Sequence, residues 1–252
     1  MIGAFTLMLW AGSAGAAEPT AEALRAAWDA HHAALVKLSP LPVDLPESAF
    51  PAMAAGEVVK ARVDLPGVDR VIGAIWTPTD RDALWVAILD DQHFDLVEGL
   101  REQQLPGTGA LRKVLYQHLD LPFPLEDRQW VIDLRSDTAL AQATGGAVWE
   151  RAWTLADPAL APSPDPDAVW TGVNEGGFLL IEAAGGTIVV YHVRSEAGGT
   201  VPEDALTRYA MSTLDELLRG LVVRAGKVPP HYVSGHAPLY RPDGRPVPPW
   251  PR

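Results

Sequence analysis

Side chains able to do chemistry are few in this chain and poorly arranged for it. There is no cysteine among the 252 residues, so disulfides, thiolate nucleophiles and cysteine-based metal sites are excluded. His31 and His32 are neighbours and point to different sides of a helix. His231 and His236 lie in a proline-rich stretch with no nearby carboxylate, so neither pair has zinc-ligand spacing. Asp90 and Asp91 could form a carboxylate pair, but adjacent residues at a helix end diverge, and a solvated C-terminal turn is expected. No serine sits in a G-x-S-x-G elbow, and the glycines from Gly172 to Gly177 and at Gly185-Gly186 form neither a dinucleotide fingerprint nor a phosphate loop. The sharpest polar candidate is Arg128. Strand alternation puts it on the side of Trp130 and Ile132, where it could meet a ligand carboxylate or phosphate, or else pair with Asp90 or Asp127. No cofactor and no metal site is implied.

Composition narrows the partners. The formal net charge of -12 disfavours nucleic acid and anionic membrane surfaces. A hydrophobic fraction of 48% and nine tryptophans are enough for a substantial core. The apolar run Ile2 to Trp10, followed by small residues through Ala17, reads as a signal peptide over 1–17 that is too short to span a bilayer. The expected location is therefore periplasmic or secreted, with no stable membrane anchor after cleavage. Residues 18–55 read as an N-terminal helix from Ala21 to Leu38, with Leu24, Trp28 and Leu35 at helical spacing, and a linker broken by Pro40, Pro42 and Pro46. A single domain is expected over 56–226, and a proline-rich tail over 227–252 that wraps the surface or stays mobile.

The elements that would position a site run strand, helix, a series of strands, then one long helix. Val58 to Val63 and Arg70 to Trp76 read as strands. Thr79 is the expected N-cap of a helix carrying Leu84, Trp85, Ile88 and Leu89, extended by Phe94, Leu96 and Val97 to about Leu100. Leu111 to Leu119, Arg128 to Arg135, Ala147 to Leu155, Ala168 to Asn174, Gly177 to Ala183 and Thr187 to Arg194 follow as strands. Asn174-Glu175-Gly176-Gly177 reads as a hairpin turn, and Ala184-Gly185-Gly186 as the next. From Pro202 to Val223 an apolar stripe of Leu206, Tyr209, Ala210, Thr213, Leu214, Leu217, Leu218 and Leu221 predicts an amphipathic helix roughly 30 Å long. Without βαβ alternation the sheet should be antiparallel and covered on one face by that helix, an α+β arrangement.

Three passages go further. Gly73-Ala74-Ile75-Trp76-Thr77-Pro78 precedes a helix bearing Leu84-Trp85 and Leu89-Asp90. Pro124 to Arg128 leads into Gln129-Trp130-Val131. Tyr191-His192-Val193, Gly198-Gly199 and Val201-Pro202 precede the long helix. In order and spacing these resemble the START-type branch of the Bet v 1-like superfamily, over about Glu57 to Ala225. Gln129 departs from the pattern, which commonly has Asp after the Arg. The resemblance implies a helix-grip fold, a curved antiparallel sheet wrapped around the C-terminal helix. It also implies non-catalytic binding, or transport, of a lipid or other hydrophobic small molecule in an internal cavity. The core facing the helix would itself line that cavity, and the expected ligand contacts are Trp85, Ile88, Tyr116, Arg128, Trp130, Ile132, Tyr191, Tyr209, Leu214 and Leu217. An aromatase/cyclase-like enzyme of the same superfamily is the alternative, needing an inward His118 or His192 as acid or base. An exported interaction module using the proline-rich tail is the third reading.

Overall fold

The computed structural model describes residues 18–90, 98–121, 126–196, 198 and 203–250. Its centre is a sheet whose described strands are β1 (Val59–Val63), β2 (Arg70–Thr77), β3 (Leu100–Gln104), β4 (Arg112–Leu119), β5 (Arg128–Ser136), β6 (Val148–Leu155), β7 (Val169–Trp170), β8 (Asn174–Ala183) and β9 (Gly186–Ser195). They pair in the order β1-β2-β9-β8-β6-β5-β4-β3, all antiparallel, while β7 pairs parallel with the start of β5. The last helix, α5 (Glu203–Lys227), has 25 residues. At 1.5 Å per residue it is about 37 Å long.

Alternation along the strands sorts the core into two faces. Ile72, Ala74, Val148, Leu179, Ile181, Ile188 and Val190 face outward, onto α1 (Ala21–Leu38), the proline linker and α2 (Ala49–Ala54). Ile75, Trp149, Leu180 and Val189 face inward, onto α5 and α3 (Arg81–Leu89). The N-terminal helix is thus part of the same core. Its Leu24, Trp28 and Leu35 are buried on the sheet, and Thr20 caps it by accepting a hydrogen bond from the Ala23 N–H at 3.1 Å.

α5 lies close to the sheet at Gly73. A Cβ at that position would come within 2.9 Å of Leu218 Cδ1 and 3.1 Å of Leu214 Cδ2, so the absent side chain is what lets the helix approach β2. α3 is buried all round between sheet, α5 and tail.

Several expectations are corrected. The N-cap of α3 is Asp80, which accepts from the Ala83 N–H at 3.1 Å; the Thr79 hydroxyl bonds Thr77 instead. The predicted continuation through Phe94, Leu96 and Val97 lies outside the described residues, and Leu100 opens a strand, because it pairs with Leu119. Asn174-Glu175-Gly176-Gly177 is not a turn: these residues pair with Ser195 to His192 inside β8. A side chain on Gly176 would strike the Trp153 ring, so the glycine marks close aromatic packing rather than a bend. The strand expected over Ala168 to Asn174 shrinks to β7. A short helix, α4 (Thr138–Ala143), capped by Asp137, was not expected. The predicted signal segment 1–17 and Pro202 lie outside the described residues.

Asp90 is not a solvated turn. It is buried with Arg224 of α5, whose Nη2 donates to Asp90 Oδ2 at 2.9 Å, and Tyr232 Oη donates to Asp90 Oδ1 at 2.6 Å. The tail covers this end of α3: the Trp85 indole N–H donates to the Tyr240 carbonyl at 2.9 Å, Arg241 pairs with Asp82, and Val247 is buried. No helix among the described residues is long and apolar enough to cross a membrane.

Candidate functional site

A pocket of about 200 Å³ lies between the inner face of the sheet and the first half of α5. Its floor comes from strands of one parity. On β4 and β5 the inward residues are Leu115, Gln117 and Leu119 opposite Ile132, Trp130 and Arg128. Arg151 and Trp153 of β6, Phe178 of β8 and Tyr191 and Val193 of β9 continue it. Ile88 of α3 closes one end, and Tyr209, Ala210, Thr213, Leu214 and Leu217 of α5 form the roof. Tyr209 is 38% exposed and stands at the mouth. Trp153, Phe178 and Tyr191 form one aromatic cluster, with the Phe178 and Tyr191 ring centres 4.9 Å apart.

The polar groups of the pocket are held by the fold. Trp130 Nε1 donates to Gln117 Oε1 at 2.5 Å, and Gln117 Nε2 donates in turn to Glu102. Trp153 Nε1 donates to Asn174 Oδ1 at 2.9 Å, and Arg151 Nη1 to the Ile88 carbonyl at 2.8 Å. The Thr171 hydroxyl is buried in the wall with no hydrogen-bond partner in the structure. Arg128 is 1% exposed. Its Nη1 donates to the Glu126 carbonyl at 2.5 Å, and its Nη2 to the Gly198 carbonyl at 3.3 Å. It thereby ties the segment before α5 to the first residue of β5. Asp90, the suggested ion partner, is engaged by Arg224 instead. Burial draws the Arg128 guanidinium below its ordinary value, and burial also pushes the Tyr191 hydroxyl above the usual tyrosine range.

Of the predicted contacts, Ile88, Arg128, Trp130, Ile132, Tyr191, Tyr209, Leu214 and Leu217 come together around this pocket. Trp85 and Tyr116 do not. Trp85 packs edge-on against Trp149 at 5.6 Å, about one turn of α3 before Ile88. Tyr116 lies on the outer face, opposite Val131, with its hydroxyl on Gln129 Oε1 at 2.8 Å. The predictions missed Leu115, Gln117 and Leu119; pairing with Arg128, Trp130 and Ile132 assigns them inward, and alternation then sends Tyr116 out. Arg151 and Trp153 share a parity with Trp149 and were legible in the same way. His118 and His192 are both on the outer face, opposite Gln129 and Ile72 respectively. Among the described lining residues there is no histidine, and Glu102 is the one carboxylate.

Gln129 accounts for its own departure from the family pattern. Its amide nitrogen donates to the carbonyls of Asp165 at 2.6 Å and Ala168 at 2.9 Å, and its oxygen accepts from the Asp165 N–H at 2.9 Å. A carboxylate could not donate to either carbonyl.

No protein-family model matches the sequence, and no curated protein matches it. Solved structures do. The STAR-related lipid transfer protein from Xanthomonas axonopodis is 17% identical, covers 67% of this chain and 93% of its own, and superposes with a TM-score of 0.57. Human StAR-related lipid transfer protein 5 is 14% identical, over 81% of this chain and 98% of its own, with a TM-score of 0.54. Human STARD10 is 14% identical, over 76% and 84%, with a TM-score of 0.54. Sheet order, closing helix and these likenesses agree: the chain has a START-type helix-grip fold.

Proposed function

We propose that this protein binds a lipid or another hydrophobic small molecule, without catalysis, in the pocket beneath α5. The observation that carries this reading is the lining: an aromatic and aliphatic wall interrupted by a few polar groups, which is how small-molecule sites are built. Affinity would come from burying apolar ligand surface, at roughly 25 cal/mol per Å². At about 200 Å³ the pocket suits a ring system or a short acyl chain. A larger lipid requires the first half of α5 to move outward. The ligand's polar end would lie toward Arg128, Arg151 and Thr171. The solved neighbours named for lipid transfer support the reading, and so does the outward placement of His118 and His192, which leaves no imidazole among the described lining residues for acid–base work.

Native mass spectrometry of protein purified from its own host tests this. Co-purifying lipid, with uptake of a fluorescent fatty acid that Ala210→Trp abolishes, is the expected result. Ligand-free protein that takes up no lipid at all would refute it. We also propose export, on the apolar run from Ile2 to Trp10 and the small residues that follow. N-terminal sequencing of the mature protein should start at Ala17 or Glu18, and a retained Met1 would overturn it.

A further inference from the structure

We propose that His118, Asp127 and Asp165 form a binding site for one divalent transition-metal cation on the outer face of the sheet, with Asp120 orienting the imidazole. The site is separate from the pocket beneath α5 and from the reading given to it.

Three segments converge here for reasons already described. His118 is near the end of β4, paired with Gln129, and its side chain points outward. Gln129 holds the main chain of Asp165 above it through the bonds to Asp165 and Ala168. Asp127 immediately precedes β5. The imidazole is 4% exposed, and its Nε2 is buried without a hydrogen-bond partner in the structure. That nitrogen is aimed at two carboxylate oxygens, Asp165 Oδ2 at 3.3 Å and Asp127 Oδ2 at 3.9 Å. Each aspartate uses its other oxygen on the scaffold: Asp127 Oδ1 accepts from the Leu121 N–H and Asp165 Oδ1 from the Asp167 N–H, both at 2.9 Å. The two facing oxygens are therefore positioned, not swinging.

The other imidazole nitrogen completes the pattern. Asp120 Oδ1 is 3.1 Å from His118 Nδ1. Once Arg101 draws back from the ring, the Asp120 carboxylate on Nδ1 places the proton there and leaves the Nε2 lone pair toward Asp127 and Asp165. The Nε2 lone pair then faces two carboxylate oxygens, and it repels them unless a cation stands between. Donors about 2.1 Å from a common metal at tetrahedral angles are about 3.4 Å apart; the two separations from Nε2 are 3.3 Å and 3.9 Å. One imidazole and two carboxylates suit zinc or manganese. Charge balances as well. Asp120, Asp127 and Asp165 oppose one cationic side chain, Arg101, whose Nη2 is 2.7 Å from Asp120 Oδ1 and 2.9 Å from His118 Nδ1. The net two negative charges match a divalent ion. Arg101 is largely exposed, so it can keep Asp120 while drawing back from the ring. The remaining coordination position opens on a surface cleft lined by Tyr116, Ser163 and Asp165 and would hold water.

The test uses the full chain, stripped with chelator and titrated with zinc chloride by calorimetry, with thermal unfolding in parallel. Wild type should bind one zinc ion and unfold at a higher temperature with it. Asp165→Asn and Asp127→Asn, which keep the scaffold-bonded oxygen, should each weaken binding at least tenfold with an unchanged circular dichroism spectrum. Asp120→Asn should weaken it by about 10- to 100-fold. Absence of saturable one-to-one binding would overturn the proposal. Binding that survives both ligand substitutions would overturn it too, by placing the zinc elsewhere.

Discussion

Asp90, at the C-terminal end of α3, and Arg224, near the end of α5, form a buried ion pair with 2.9 Å between Oδ2 and Nη2. Arg224 also donates to the Asp90 and Ala87 carbonyls, and Tyr232 from the tail donates to the same carboxylate. One carboxylate therefore joins two helices and the tail at the end of the core away from the pocket. Asp90→Ala leaves a buried guanidinium without its counter-charge and should cost about 3–5 kcal/mol. Tyr232→Phe, which removes one neutral donor to a charged acceptor, should cost about 1.5–3 kcal/mol. Urea unfolding of both variants reads the difference.

Gly73 should tolerate no larger residue without moving α5. Gly73→Ala places a methyl against Leu218 and Leu214, both fully packed. Overpacking of this kind costs about 1–3 kcal/mol. The same shift lifts the roof of the pocket, so uptake of a fluorescent fatty acid should change along with the urea midpoint. A midpoint unchanged within 0.3 kcal/mol, as a rough additivity margin, would show that the helix yields freely.

Glu150 gives stability a falling limb above neutral acidity. It is buried beneath the end of α1, accepts from Ser39 Oγ at 2.6 Å, and burial raises it from 4.5 to about 7. The folded form favours the proton more than the unfolded chain does. Stability is therefore full below pH 4.5 and is lost as pH rises through about 7. The limb is on the order of 3 kcal/mol. Glu150→Gln keeps an acceptor for Ser39 and should remove most of the slope in urea midpoints between pH 5 and pH 8.

His192 supplies the opposite limb. Burial, with Arg70 adding to it, lowers its imidazole from 6.5 to about 3, and neither ring nitrogen has a hydrogen-bond partner in the structure. The folded state resists the proton that the unfolded chain accepts. Stability is thus present above pH 6.5 and is lost as pH falls toward 3. His192→Leu removes two unsatisfied nitrogens and should leave stability at pH 7 unchanged or improved, while flattening the loss between pH 6 and pH 4. A variant that loses stability equally at both pH values would show the ring to be needed for shape alone.

Gln129→Glu tests the clamp on the 165–168 segment. The carboxylate cannot donate to the Asp165 and Ala168 carbonyls and would sit buried against them. Loss of about 2–4 kcal/mol is expected. Hydrogen exchange should rise at Asp165 and Ala168 before it rises in β5. The same variant should weaken zinc binding, since Gln129 positions Asp165.

Legibility followed the range of the forces. The stripe of α5 was readable because residues three and four apart share a helix face, and Leu214, Leu217, Leu218 and Leu221 are indeed buried on one side. Alternation made the strands readable too, including Arg128, Trp130 and Ile132 on one face. It could not say which parity of β4 turned inward, because that depends on the register with β5. Tyr116 was accordingly placed on the wrong side and Leu115 and Gln117 were missed. In α3 every residue from Ala83 to Leu89 is buried, so no apolar stripe distinguishes Trp85, which faces Trp149 and the tail, from Ile88, which faces the pocket.

What the sequence alone determined is the long helices, most of the strands, their antiparallel class and the apolar character of the closing helix's contacts, all consequences of local periodicity and composition. Only the tertiary structure decided the partners of the charged groups. Asp90 looked solvated until Arg224 arrived from the far end of the chain, and His118 met Asp127 and Asp165 from two other segments. The physical reason is that periodicity reports which way a side chain points relative to its neighbours in sequence, whereas charge pairing and strand register are set by chain segments far apart in sequence, which only the folded core brings into contact.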